Sequence, residues 1–243
     1  MSHEPITRLL TPITTYLDTP QVSLEESIEP VSHLFNEIEK YVKIAKENSK
    51  NPANCLTSDE SASIHLYTMQ FESGPSLYEV LNEALCNENQ ELLKPWSAFL
   101  KLFLIALCKL PSCAQTVWRS VRRENLSSKY PTRSRFVWRS VNSCTAAIET
   151  LGNDVFLGTT GLRTLFSIEC KHGKLVEEHS YFKCEKEVIL MPGSYFEVIS
   201  QLNPSTDLYI IHLKEIDPPI PLVQLPLNTT QHIVHLKESS GIF

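Results

Sequence analysis

Glycine is scarce in this chain: 7 glycines stand against 15 prolines in 243 residues. Neither G-x-G-x-x-G nor G-x-x-x-x-G-K-[ST] occurs. That removes the two commonest phosphate loops, so any nucleotide must be held in another way. Paired cysteines are also missing. The 7 cysteines (Cys55, Cys86, Cys108, Cys113, Cys144, Cys170, Cys184) are odd in number and dispersed, without a C-x-x-C. They read as reduced, mainly buried thiols rather than a disulfide framework or a zinc site. Excess positive charge is absent too: 22 Lys and Arg against 28 Asp and Glu give a net charge of −6. Nucleic acid is therefore not an expected partner. No apolar run approaches the ~20 residues of a membrane span. The longest, residues 99–108, contains Lys101 and reads as a core helix. Residues 1–11 lack the hydrophobic region of a secretory signal, so a cytoplasmic location with no membrane partner is expected.

What is present builds a core: 42% of residues are hydrophobic and 21% charged. The length suits one domain with an extension. The division expected is an N-terminal extension with one helix over residues 1–50, a main domain over 51–222 and a tail over 223–243. Apolar spacing predicts a helix over 31–47. Thr57-Ser58-Asp59-Glu60 is a capping box that opens a helix running to about residue 70. Ser73-Gly74-Pro75 breaks it, and further helices are expected over 76–86 and 90–109. After Leu110-Pro111 the pattern turns to strands, over 116–121, 135–141, 163–170, 188–190, 195–200 and 208–216. Pro192-Gly193 suits the centre of a type II turn and predicts a hairpin between two of them. The fold class expected is α+β, a helical first half followed by a mainly antiparallel β-rich half.

Three polar sites interrupt the β-rich half. Glu185-Lys186-Glu187 puts two carboxylates at i and i+2, on one face of a strand and roughly 6–7 Å apart. Such a pair costs repulsion and desolvation, and a cationic partner or transition state would repay it. Arg119 lies within the strand Thr116-Val117-Trp118-Arg119, and Ser143-Cys144-Thr145 forms a hydroxyl cluster. Each has a plain reading: an edge arginine, the cap of a short helix over 145–149, a solvated strand face. Arg119, Arg122, Arg123, Arg133, Arg135 and Arg139 make a locally basic region, read either as scattered charge or as attraction for a pyrophosphate. Cys144 reads as a buried thiol rather than a nucleophile. Glu177-Glu178-His179 reads as a solvated turn, and His232 and His235 as surface residues, so no metal is expected.

Taken in chain order, these segments resemble the arginine-specific mono-ADP-ribosyltransferases, the cholera-toxin-like branch with an R-S-E motif. The resemblance spans residues 56–222. Ala62-Ser63-Ile64-His65-Leu66-Tyr67-Thr68 and Tyr78-Glu79-Val80-Leu81-Asn82-Glu83-Ala84-Leu85 match two family helices. Arg119, Ser143 and Glu185-x-Glu187-Val188 supply R, S and E-x-E. The resemblance implies an NAD-binding cleft, NAD⁺ as co-substrate and an arginine-containing protein as acceptor. It also implies roles. Glu187 would stabilise the oxocarbenium-like charge that develops at the ribose. Glu185 would engage the acceptor guanidinium, with Tyr181 or Phe182 as an aromatic surface beside it. Ser143 would hold the ribose or Glu187, and Arg119 the phosphates. The chain departs from the family in having Ser120 where a glycine is usual and Cys144-Thr145 where Thr-Ser is usual. A close variant, NAD⁺ hydrolysis, needs no other residues; the alternative class is a non-enzymatic NAD-binding or interaction module that has lost rate through Ser120 and the altered strand over 135–141.

Overall fold

The computed structural model describes residues 5–224 apart from 9, 88, 148, 150–156, 158–159 and 184. Helices fill its first half and strands its second. The capping box at Thr57 forms as expected. Thr57 Oγ1 accepts from the Glu60 amide at 3.2 Å, and the Thr57 amide donates back to the Glu60 carboxylate at 2.8 Å. It opens α3, defined below, and Glu60 also takes Lys109 Nζ at 2.7 Å, tying the start of that helix to the end of the last one.

The helices are α1 (Leu24–Ile28), α2 (Ile38–Asn48), α3 (Ser58–Thr68), α4 (Leu77–Cys86) and α5 (Ser97–Lys109). The single helix expected over 31–47 is divided. A 3₁₀ turn covers Glu29–Leu34, and Glu37 then takes left-handed backbone (φ 52°), so the helical path restarts at Ile38. The helix expected from residue 90 is divided likewise, into a 3₁₀ turn over Gln90–Trp96 and α5. Pro95 has no amide to donate, and its ring blocks a continuous α-helix. A further helix, α1, was not expected. Its Ser23–Glu26 capping box was present in the sequence. From Glu60 to Thr68, α3 is buried on every side.

Nine strands are seen among the described residues: β1 (Ser112–Cys113), β2 (Thr116–Arg122), β3 (Arg135–Trp138), β4 (Asn142–Thr145), β5 (Arg163–Glu169), β6 (Gly173–Leu175), β7 (Glu187–Leu190), β8 (Ser194–Ser205) and β9 (Leu208–Ile216). They form one sheet in the order β1-β6-β7-β4-β2-β5-β9-β8-β3, antiparallel except for β5 with β9. Two expectations are corrected here. The strand over 135–141 stops at Trp138. The hydroxyl cluster is neither its end nor a helix cap but a separate strand, β4, paired with β7. Asn82 of α4 forces the break, because its side-chain amide holds both the amide (2.9 Å) and the carbonyl (3.0 Å) of Val141, as a neighbouring strand would. The hairpin is corrected as well. Pro192 and Gly193 do form the turn: the Ser194 amide reaches the Met191 carbonyl at 3.2 Å, and Gly193 has φ 86°. The flanking strands nevertheless do not pair. All four β7 residues are buried, β4 and β6 occupy its two edges, and no edge remains for β8.

Two apolar clusters result. One joins the helices to Val141, Val176, Ile189 and Leu222. The other fills the sheet region around Tyr130, Phe136, Trp138, Phe166 and Phe196. Residues near the N-terminus belong to the first. Ile13 and Tyr16 are buried there, and the Tyr16 hydroxyl donates to the Gln224 carbonyl at 2.5 Å. Ile6 and Val137 exchange both backbone hydrogen bonds, at 3.2 and 2.9 Å.

Candidate active site

Where α3 and α4 meet strands β2, β4 and β7, a cavity of about 210 Å³ opens to solvent. Tyr67, Thr68, Gln70, Tyr78 and Asn82 line its helical wall. Arg119, Ser143, Phe182, Glu185 and Glu187 line the other. The arginine, the serine and both glutamates singled out from the sequence therefore share one crevice. Tyr181 lies beside it. Its ring packs edge-on against His65 and Phe182, and its amide donates to Thr68 Oγ1 at 2.8 Å.

Glu187 stands at the first position of β7, opposite Thr145 in the antiparallel register, so Ser143 is its diagonal neighbour. Only 5% of Glu187 is exposed. Ser143 Oγ donates to its Oε1 at 2.5 Å and Ser180 Oγ to its Oε2 at 2.6 Å. Burial pushes this carboxyl above the ordinary range, and the two hydroxyls oppose the shift by favouring the ionised form. Glu185 is half-buried; desolvation first and the charge of Glu187 second push it up to about 7. The two glutamates do not meet by strand alternation. Lys186 takes left-handed backbone (φ 44°), and β7 begins only at Glu187. The turn is held instead by Thr145 Oγ1, which donates to the Glu185 carbonyl at 2.7 Å, and by the Ala146 amide, which reaches the Lys186 carbonyl at 3.1 Å.

Arg119 reaches across to the Ser143 carbonyl with Nη1 at 2.7 Å. Its Nε is buried and has no hydrogen-bond partner among the described residues. None of the other arginines of the basic region lines the crevice. Arg135 pairs with Glu197 at 2.9 Å, and Arg139 is buried away from the crevice lining. Cys144 points into the sheet core, where burial pushes its thiol up to about 12. That thiol is inert. The mainly buried setting expected of the cysteines holds for Cys144 and Cys170; Cys86, Cys108 and Cys113 are partly exposed, Cys55 is exposed, and Cys184 lies outside the described residues. The solvated turn expected at His179 is also corrected. The ring is only 2% exposed, accepting from Ser61 Oγ at 2.9 Å and donating to Asn54 Oδ1 at 3.1 Å. Its partners lie more than a hundred residues away in sequence, so no local pattern reports them. His232 and His235 lie outside the described residues.

This architecture is shared by solved structures, two of the following three being ADP-ribosyltransferases. The type III effector XopAI from Xanthomonas axonopodis pv. citri superposes with a TM-score of 0.59 at 19% identity, over 81% of this chain and 90% of that one. The eukaryotic mono-ADP-ribosyltransferase ART2.2 gives 0.58 at 17% identity, over 81% and 85%. Vis, an ADP-ribosyltransferase toxin of Vibrio splendidus solved in complex with agmatine, gives 0.55 at 15%, over 79% and 92%. No curated protein matches the chain in sequence. The sequence profile of the NAD:arginine ADP-ribosyltransferases matches residues 18–218, and the chain belongs to that family. Its activity class is NAD-dependent ADP-ribose transfer, with NAD⁺ as co-substrate. No helix among the described residues is long and apolar enough to cross a membrane.

Proposed function

We propose that the protein transfers ADP-ribose from NAD⁺ to arginine side chains of proteins, releasing nicotinamide. One observation carries the reading. Glu187, nearly buried and with a hydroxyl on each carboxylate oxygen, lines the same crevice as Arg119, whose buried Nε has no hydrogen-bond partner among the described residues. The first suits a developing cation and the second an anion, the two charges that a dinucleotide presents at its reacting sugar and its phosphates. At about 210 Å³ the cavity is below the ~300–1,000 Å³ of a full ligand pocket. A cavity of this size takes the reacting end of the dinucleotide, the ribose at Glu187 and its phosphate at Arg119, and not the whole molecule.

Breaking the nicotinamide–ribose bond builds positive charge at the anomeric carbon. Glu187 stabilises that charge in a water-poor setting, and Ser143 holds the carboxylate oxygen that faces the crevice. Glu185, at the solvent side, binds the acceptor guanidinium and takes a proton from it as the bond to ribose forms. Phe182 and Tyr181 are 38% and 43% exposed and offer aromatic faces to the same guanidinium. Agmatine, bound by Vis, carries such a group and serves as the simplest acceptor probe.

The test follows labelled NAD⁺ with agmatine as acceptor. Transfer is expected in the unmutated protein. Glu187→Ala is expected to remove both transfer and nicotinamide release, by a factor of about 10²–10³ or more. Nicotinamide release without a labelled agmatine adduct would reassign the protein as an NAD⁺ glycohydrolase. No heat on titrating NAD⁺ would end the proposal.

A further inference from the structure

We infer that Ser180 is a positioning residue for Glu187, the buried half of a two-serine clamp whose other half is Ser143. This inference rests on the reading of Glu187 as the carboxylate that faces the reacting sugar.

The two hydroxyls reach Glu187 from opposite surroundings. Ser143 is exposed and lines the crevice. Ser180 is fully buried and is not part of the crevice wall. Oε1 is thus the outer oxygen and Oε2 the inner one. An oxygen held on one side only would let the carboxylate rotate about its last torsion, which is soft. With a donor on each oxygen, the plane of the carboxylate is set before any substrate arrives.

Ser180 can do this because its own place is over-determined. The amides of His179 and Ser180 both donate to the Val176 carbonyl, at 2.8 and 2.7 Å, closing a tight turn on a buried core residue. The His179 ring anchors that turn to Ser61 of α3 and to Asn54. The His179 carbonyl accepts from His65 of α3 at 3.3 Å. The Ser180 hydroxyl accepts from the Phe182 amide at 3.1 Å while it donates to Glu187 at 2.6 Å. One hydroxyl therefore links the aromatic wall of the crevice to the inner oxygen of the carboxylate. The other charged or titratable groups around Glu187 are Arg119 from β2, Tyr67 from α3, Cys144 from β4 and Glu185 from its own turn. None of them has a hydrogen bond to Oε2.

Because Ser180 is sealed from the crevice, it cannot touch NAD⁺, and this separates it from Ser143. Ser180→Ala is expected to lower kcat for nicotinamide release by roughly tenfold to a hundredfold. KM for NAD⁺ should stay unchanged. A lost donor also disfavours the ionised carboxylate, so Glu187 should titrate at higher pH in Ser180→Ala, and the acid limb of the rate profile should move up with it. Carboxyl ¹³C shifts read this titration directly, with or without turnover. Ser180→Thr keeps the hydroxyl and should restore both the rate and the titration. Ser61→Ala loosens the same turn without touching the carboxylate, so it should lower the melting temperature and leave the Glu187 titration in place. An unmoved titration in Ser180→Ala, or an equal shift in Ser61→Ala, overturns the clamp. If Ser180→Ala does not fold, Ser180→Cys, close in size but a weaker donor, takes its place: the Glu187 titration should again move up, and an unmoved titration overturns the inference. An inactive wild-type protein with a shifted titration would instead retain the clamp and sink the proposed function.

Discussion

At the scale of single residues, the two glutamates are set apart by their surroundings. Glu187 is sealed and held by two hydroxyls, whereas Glu185 has desolvation and a like charge against it and no hydroxyl on its carboxylate among the described residues. Glu185 takes up its proton at about 7 instead of the ordinary 4.5. Transfer to agmatine should therefore rise as pH increases through 7, while nicotinamide release follows Glu187 instead. Glu185→Gln should depress transfer more than release, checked by running both assays on one preparation. The same shift has a stability sign. Between 4.5 and about 7 the folded chain holds a proton that the unfolded chain has lost, so stability falls as pH rises through that window. Glu185→Gln should then raise the melting temperature at pH 8 and leave it unchanged at pH 4. Arg119, Ser143 and both glutamates were legible because the ordered motif carries them. Ser180 and His179 were not, because what defines them is a partner from a distant segment or a burial that local spacing does not encode.

At the scale of elements, local chemistry spoke clearly for starts and turns and poorly for partners. The Thr57 capping box and the strand Leu208–Ile216 appear where the sequence placed them. Pro192-Gly193 shows the limit: turn residues dictate backbone angles but not which strand lies alongside. Gly193 is irreplaceable for two reasons, its φ of 86° and the Leu222 side chain against the site of a would-be Cβ. Gly193→Ala should cost about 2–4 kcal/mol, read from the denaturant midpoint. The contact between α3 and the turn at 176–180 has its own pH signature. Burial pulls both His65 and His179 below the ordinary 6.5. Asn48 donates to His65 Nε2, so a proton there would face another donor. These rings stabilise the fold fully above pH 6.5 and lose that contribution as pH falls through their lowered values. Protection factors of the amides of residues 176–182 should fall on acidification ahead of those of β5 and β9.

At the scale of the whole molecule, the crevice lies on the seam between the two apolar clusters. Strand β7 borders both, with Ile189 in the helical cluster and Val188 and Leu190 in the sheet core beside Cys144 of β4. The α+β order was readable from composition shifts along the chain, whereas nothing in residues 1–22 marks their anchors, because prolines and short polar stretches interrupt any periodicity. Those anchors, Ile13 and Tyr16, are deep in the helical cluster. Tyr16→Ala should cost about 3–5 kcal/mol of stability by equilibrium unfolding, from the void and from the lost bond to Gln224.

The pairing of Ile6 with Val137 carries one more consequence. In the strand order β3 is an outermost strand, so its free side would be a row of open amides and carbonyls inviting another chain. A single bridge from the chain's own beginning blocks the middle of that row. At the opposite end of the sheet, β1 is only two residues long and too short to template anything. A broad sheet is thus protected from self-association at both margins by very little material.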